Sequence, residues 1–421
     1  MCRIRVVYWR ELPPLRGIPR GGHREEASTT RASSIVIRQT EEWAHVESAL
    51  LHEPGREALF GLMEVDAEDI EAPLDLTAAQ WDHQNYRFLL EARGIEVVSF
   101  RDALTAGAID PVGEPLEGPA LDRLRRAANE ALLYSFSPGV PESRRRALLS
   151  RRERIINRAH PEVLVDLLFL KPLVRVGFGG DPELMEHCIR PARSAHFVRD
   201  ALVVTAAGAV LGRASSPARR WENELMSLAL EGLGTAPLAR IESPGFFEGG
   251  DFIPVGDFAL MRIGPMTNEV AFEQMLRARA FGVPEIGLIR DADSPVTHLD
   301  DYLVFVAPDL AIVHEDRFGS DGEPPVEVYC KGEANPTRTV GLFTYLREKG
   351  MEIVPALPET PYTLSGLMVV GPREVVIAAG VGNATTQMLM DRGVEVQVLA
   401  LESAGGRGGL RGLTQVLRRG I

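Results

Sequence analysis

Phe247-Glu248-Gly249-Gly250-Asp251 is the stretch on which the reading of this chain turns. Two glycines between two carboxylates make a turn that another backbone segment or a ligand can approach closely. Taken alone, such a turn is a bend carrying surface acids, and its weight comes from the segments around it. Upstream stand Phe197-Val198-Arg199-Asp200 and Pro217-Ala218-Arg219-Arg220. Downstream stand His298-Leu299-Asp300-Asp301 and, close to the end, Gly406-Arg407-Gly408-Gly409-Leu410-Arg411-Gly412. Together they gather the carboxylates Asp200, Glu248, Asp251 and Asp300, one histidine and several arginines, mostly beside glycines or strand ends. Paired carboxylates suit a planar cation, because the N–H fork of a guanidinium meets two acceptors at once. His298 is a candidate proton shuttle, although a single histidine is more often a hydrogen-bonded structural residue.

Outward from these segments, short strands alternate with helices. The spacing predicts strands over 46–51, 95–100, 201–205, 258–263, 302–306, 310–314, 367–370 and 375–379, and helices over 77–93, 218–230, 269–281, 337–349 and 384–392. Between about 116 and 170 the pattern becomes helical and highly charged, broken at Ser137-Pro138-Gly139, with the arginine cluster 144–152 reading as a solvated face. Strand-rich blocks followed by a helix recur about five times. Both a doubly wound sheet and a ring of small α/β modules fit that rhythm.

Composition narrows the function. Of 421 residues, 45% are hydrophobic and 25% charged, an ordinary globular mixture with ample material for a core. The net charge of -13 argues against a nucleic-acid partner. Cys2, Cys188 and Cys330 are too few and too scattered for a disulfide framework or a zinc site, which fits a reducing cytoplasm. No apolar run approaches the roughly 18 residues of a membrane helix. Residues 1–38 are arginine-rich, hold Pro13, Pro14 and Pro19, and lack both periodicity and a signal-peptide h-region; they read as a disordered or misassigned extension and stand outside the fold reasoning. Gly380-Val381-Gly382-Asn383-Ala384-Thr385 imitates a dinucleotide loop, but the third glycine is missing and Asp391 lies too near to serve as the ribose acid.

In their order and separations, the five segments resemble the arginine deiminase family of the guanidino-group-modifying (amidinotransferase) superfamily. The opening HVESALLHEPGRE, 45–57, is similar to that family's first strand and turn, so the resemblance runs from about residue 42 to the C-terminus. It implies an α/β fold of the five-bladed propeller (pentein) type over 42–421, with an inserted helical subdomain at about 116–170. It also implies no metal or organic cofactor, a small guanidino ligand such as L-arginine, and a homo-oligomer. Carried over residue by residue, Asp200 and Asp300 would grip the guanidinium, and Glu248 and His298 would handle protons. Arg219 and Arg407 would hold the substrate carboxylate, and Asp251 would support the site from behind.

The chain departs from the family at one decisive place. After G-R-G-G-x-R the family carries the cysteine that attacks the guanidino carbon; here the residue is Gly412. The amidinotransferase ending G-G-x-x-C-x-T, followed by two arginines, also puts Gly412 at that position. Glycine cannot form the covalent intermediate, and deleting a nucleophile in a hydrolase costs on the order of a millionfold in turnover. Met266 and Ser194 fall where the family usually has arginine and asparagine. Cys330 is the remaining thiol to weigh as a substitute, and a buried inert thiol is its commoner fate. The expectation is a guanidino-binding protein whose cysteine-dependent hydrolysis to citrulline and ammonia is disabled. A working hydrolase using another nucleophile or activated water, and a non-catalytic scaffold, are the competing readings.

Overall fold

The computed structural model describes residues 36–62, 75–177, 181–291, 295–314, 318, 322–356, 364–378, 383–401 and 409–420. Residues 1–35, most of the expected extension, and Arg407 lie outside them.

Five sheets repeat one connectivity: a strand, an antiparallel partner, a helix, and a third strand parallel to the second. Leu202–Val204, Ala209–Leu211, the helix Arg220–Gly232 and Ala239–Arg240 form one such module. Phe252–Val255, Phe258–Ile263, Glu269–Arg277 and Glu285–Arg290 form the next. Leu303–Ala307, Leu310–Val313, Leu342–Glu348 and Glu352–Pro355 make the third. Leu367–Gly371, Glu374–Ala378, Asn383–Asp391 and Glu395–Leu399 make the fourth. The last joins both ends of the described chain: Gln415–Arg419 lies antiparallel to Val46–Leu51, which pairs in parallel with Glu96–Ser99 after the helix Leu76–Ala92. A parallel third strand cannot be reached by a tight turn, which is why each module needs its crossover helix. Strands such as Leu303–Ala307 and Leu310–Val313 are buried along their whole length, as a covered sheet requires.

A short helical turn precedes the first strand of every module: Val198–Ala201, Gly249–Asp251, Leu299–Asp301, Leu364–Gly366 and Gly409–Gly412. Each touches the next and the last touches the first, so the five turns meet in a closed cycle. Contact that close demands glycine. A Cβ at Gly250 would stand 2.7 Å from His298 Cγ, and one at Gly409, where φ is +52°, would stand 2.4 Å from the Ser365 carbonyl oxygen. Four of the five motifs of the sequence therefore supply turns of this cycle, and Pro217–Arg219 is a separate turn.

Two expectations change. The block 116–170 does hold helices Pro119–Ala131, Glu142–Arg158 and Pro161–Leu170. Between the first two, Leu133–Phe136 is a strand, parallel to Pro172–Val176, which in turn pairs antiparallel with Met185–Ile189. Leu121, Leu124, Leu164 and Leu168 share one apolar core with Leu202, Leu211 and Leu225 of the first module, so the insertion is bonded to the main body by hydrophobic burial. The helix expected over 337–349 begins only at Leu342, because Arg338–Gly341 pairs with Pro325–Cys330 and this hairpin widens the second module's sheet to five strands. Among the described residues, no helix is long and apolar enough to cross a membrane.

Candidate active site

The turn Val198–Ala201 presents Asp200, and Glu248 caps the start of Gly249–Asp251 beside it. Both are buried, with Asp200 9% and Glu248 1% exposed. Between them lies the guanidinium of Arg219, delivered by the turn Pro217–Arg219 that follows the first module's second strand. Its Nη2 donates to Asp200 Oδ2 at 2.9 Å, its Nη1 to Glu248 Oε2 at 3.2 Å, and its Nε to Glu222 Oε2 at 3.0 Å. Glu222 is itself fixed by the Ser194 backbone N–H, 2.9 Å from Oε1. The expectation gave Arg219 to a substrate carboxylate; in this structure its fork is spent on three buried acids.

His298 completes the cluster. Its backbone N–H donates to Asp301 Oδ2 at 2.9 Å, and its Nε2 donates to Glu248 Oε2 at 3.2 Å, with Asp200 Oδ1 4.0 Å away. Burial disfavours the imidazolium, but the Asp200 charge and the Glu248 hydrogen bond outweigh it and push His298 up to about 10. Glu248 moves the other way: burial raises it, and the His298 hydrogen bond and the Arg219 charge bring it below the ordinary value. Burial dominates at Asp200, which ends above the usual carboxylate range despite Arg219 and His298. The cluster at neutral pH thus holds a protonated imidazole against ionised Glu248.

Asp251 and Asp300 lie behind this front. Asp251 accepts from Thr267 Oγ1 at 2.7 Å and from the Leu299 N–H at 2.9 Å, and burial raises it to about 6. It ties the turn bearing His298 to the second module. Arg262, fully buried, reinforces that tie by donating to the Thr297 and Asp291 carbonyls at 3.0 and 2.9 Å. Asp300 Oδ2 faces Arg199 Nε at 2.8 Å and Arg411 Nε at 3.9 Å. Arg411 also donates to the Asp300 and Leu303 carbonyls at 3.2 and 2.9 Å, and pairs with buried Glu42. Sequence reasoning named none of Arg199, Glu222, Arg262, Arg411 or Glu42 as site residues. Arg199 and Arg411 sat inside the quoted motifs, and Glu222 lies one helical turn from Arg219. Glu42 carries no local signal.

Gly412 ends the turn Gly409–Gly412 and is buried. Among the described residues, a Cβ built there meets only Phe197 Cδ1, at 3.4 Å. Beside Glu248, Ser215 donates through its N–H and hydroxyl to Oε1 at 3.3 and 3.4 Å, and its hydroxyl lies 3.0 Å from Met266 Sδ. The Met266 position therefore lines this region with a thioether. Cys330 is exposed at the end of the outer hairpin, paired with Glu285, and joins none of these contacts. Asp200, Glu248 and His298 each bring a ligand atom within 4.8 Å of the others, close enough for a metal ion. With a guanidinium across the two carboxylates and a proton on the imidazole, the set as arranged fits a planar organic cation better than a metal.

This fold is that of the amidinotransferase and dimethylarginine dimethylaminohydrolase pentein superfamily. An amidinotransferase from Microseira wollei, of the saxitoxin biosynthetic pathway, superposes with a TM-score of 0.53 at 14% identity, over 91% of this chain and 97% of that one. A dimethylarginine dimethylaminohydrolase from Pseudomonas aeruginosa, a cysteine-to-serine mutant complexed with citrulline, gives 0.51 at 14% identity, over 88% and 98%. The arginine deiminase family model matches residues 183–419, and the chain belongs to the arginine deiminase family. Arginine deiminase of Halobacterium salinarum is 23% identical over 439 residues, 81% of this chain and 86% of that protein.

Proposed function

We propose that this chain binds L-arginine or a related guanidino compound, and that hydrolysis to citrulline and ammonia through a cysteine is disabled by Gly412. The observation that carries this reading is the guanidinium already seated on Asp200 and Glu248: the acids accept that group's geometry, here from Arg219. A guanidino ligand takes the seat when Arg219 swings outward, freeing its charge for the ligand's carboxylate with Arg407. Asp300, which stands behind Asp200 and Glu248 with Arg199 and Arg411 on its carboxylate, is a third acid on which the ligand's guanidinium draws. The five modules are read as the blades of a five-bladed α/β propeller with this seat at its centre, in a cytoplasmic protein without metal or organic cofactor.

A hydrolytic reading keeps one specific support. The His298–Glu248 pair stands ready to move a proton, and in this reading a water molecule replaces the missing thiol at Gly412 as nucleophile. One experiment separates the readings: citrulline and ammonia release from arginine, with arginine binding by calorimetry, for the unmodified chain and for Gly412→Cys. Binding without turnover, and turnover gained by the cysteine variant, is the expected result. Turnover by the unmodified chain that Glu248→Gln abolishes would establish the water route. Neither binding nor turnover in either protein would leave the scaffold reading and overturn the proposal.

A further inference from the structure

The helix Glu142–Arg158 is fastened to the molecule along one side. Ile156 is fully buried, Arg145 donates to the Ser137 and Val140 carbonyls at 2.8 and 3.0 Å, and Arg152 donates to the Leu132 carbonyl at 3.3 Å. Arg125, from the helix Pro119–Ala131, donates to the Asn157 carbonyl at 3.0 Å and fixes the far end. Part of the arginine cluster expected to be a solvated face is therefore spent on holding the helix in place.

The free side is different. Seven arginines against two glutamates leave these 17 residues at +5 in a chain of -13. At about 100° per residue, Arg151, Arg154, Ile155 and Arg158 share one stripe, and Glu142 and Glu153 lie about 160° or more from Arg151. Arg144, at the start of the stripe, is paired with Glu183. Arg151, Arg154 and Arg158 are exposed and have no hydrogen bond or ion pair among the described residues. Ile155, 49% exposed, sits between them. Other helix arginines meet an acid one turn away, as Arg87 does with Glu91 and Arg277 with Glu273. Here Arg154 stands three residues after Arg151 and four before Arg158, spacings at which like charges on a helix repel. The helix dipole favours Arg158 in the last turn and does nothing for Arg151 at mid-helix. The stripe is thus held rigid against its own repulsion, with its charge unmet.

We propose that this stripe docks an acidic segment of another protein, with carboxylates on the Arg151, Arg154 and Arg158 forks and an apolar side chain against Ile155. Charge complementarity selects that occupant. A second copy of the helix would set arginine against arginine. A nucleic acid would run beyond the stripe's length of about 10 Å and meet the repulsion of a chain at -13. A bilayer needs an apolar face to bury, and Ile155 is the one exposed large apolar side chain on this helix. The inference does not depend on the guanidinium seat.

The test uses the full chain and a fluorescein-labelled peptide of repeating Glu-Glu-Leu, read by fluorescence anisotropy. Expected is binding at about 50 mM salt that weakens about tenfold at about 300 mM, and none of a Lys-Lys-Leu counterpart. Arg151→Glu combined with Arg158→Glu should weaken binding by about tenfold or more, and Ile155→Ser by about threefold. Arg146→Glu, on the side away from the stripe, should leave it unchanged. If the double charge reversal does not fold by circular dichroism, Arg154→Gln alone still reads the stripe, with an expected loss of about threefold. Absence of peptide binding at the lower salt overturns the proposal. So does equal weakening by Arg146→Glu, which would mean that net charge and not the stripe attracts the peptide. Tighter binding of phosphatidylserine vesicles or single-stranded RNA, lost with the same substitutions, would assign the face to that polyanion and also overturn it.

Discussion

Arg219→Ala is the most informative single perturbation. The three acids that share the guanidinium, Asp200, Glu222 and Glu248, are 9%, 5% and 1% exposed. Removing one partner of a buried ion pair costs about 3–5 kcal/mol, because the remaining charge is left desolvated and uncompensated. With each kcal/mol worth at most about 2–4 °C in a chain of this size, the melting temperature should fall by roughly 5–15 °C. The loss should depend on pH in a definite sense. Asp200 already lies above its ordinary value in the folded state, and losing the Arg219 charge raises it further. The folded variant then binds more protons than the unfolded chain above the ordinary carboxylate range, so its stability falls as pH rises and recovers in mild acid. Methylguanidinium at a hundred times its dissociation constant should return about 2.7 kcal/mol by occupying the seat. The assay is thermal melting of both proteins between pH 5 and pH 8, with methylguanidinium, methylammonium and urea as additives. An unchanged melting temperature would refute the premise that these acids require the cation. Equal rescue by methylammonium would refute the requirement for a planar fork.

Gly412→Ala should be tolerated, changing stability by about 1 kcal/mol or less, since among the described residues its Cβ meets only Phe197, at 3.4 Å. Gly250→Ala should instead destabilise by several kcal/mol, on the order of the 1–3 kcal/mol of overpacking or more, because its Cβ would overlap His298; chemical denaturation compares the two, and equal midpoints would contradict the described turn contact. His298 titrates near 10 in the folded state, above its unfolded value near 6.5. Its stabilising contribution is therefore fully present below pH 6.5 and lost as pH rises through 10, and His298→Gln should flatten the melting profile over that window. Arg411→Met strands the buried Glu42 and should cost about 3–5 kcal/mol by urea unfolding, while a loss under 1 kcal/mol would mean the network is solvated.

The sequence by itself determined the elements and the turns. Apolar runs marked the strands Phe258–Ile263 and Val46–Leu51, and the glycine-flanked acids marked the segments that became the cycle of turns. Such features depend on neighbours within a few positions, where periodicity and backbone sterics act. It also fixed the absence of a thiol at Gly412, which no tertiary contact can restore. Only the tertiary structure decided which charges meet. Arg219 stands nineteen residues after Asp200 and twenty-nine before Glu248, yet its guanidinium lies on both. Glu42 finds Arg411 across 369 residues because both ends of the described chain share one module. Leu133–Phe136 read as the tail of a helix until Pro172–Val176 supplied a strand to pair with. Ion pairs and sheet edges draw their free energy from groups brought together by the fold, so they leave little trace in local sequence.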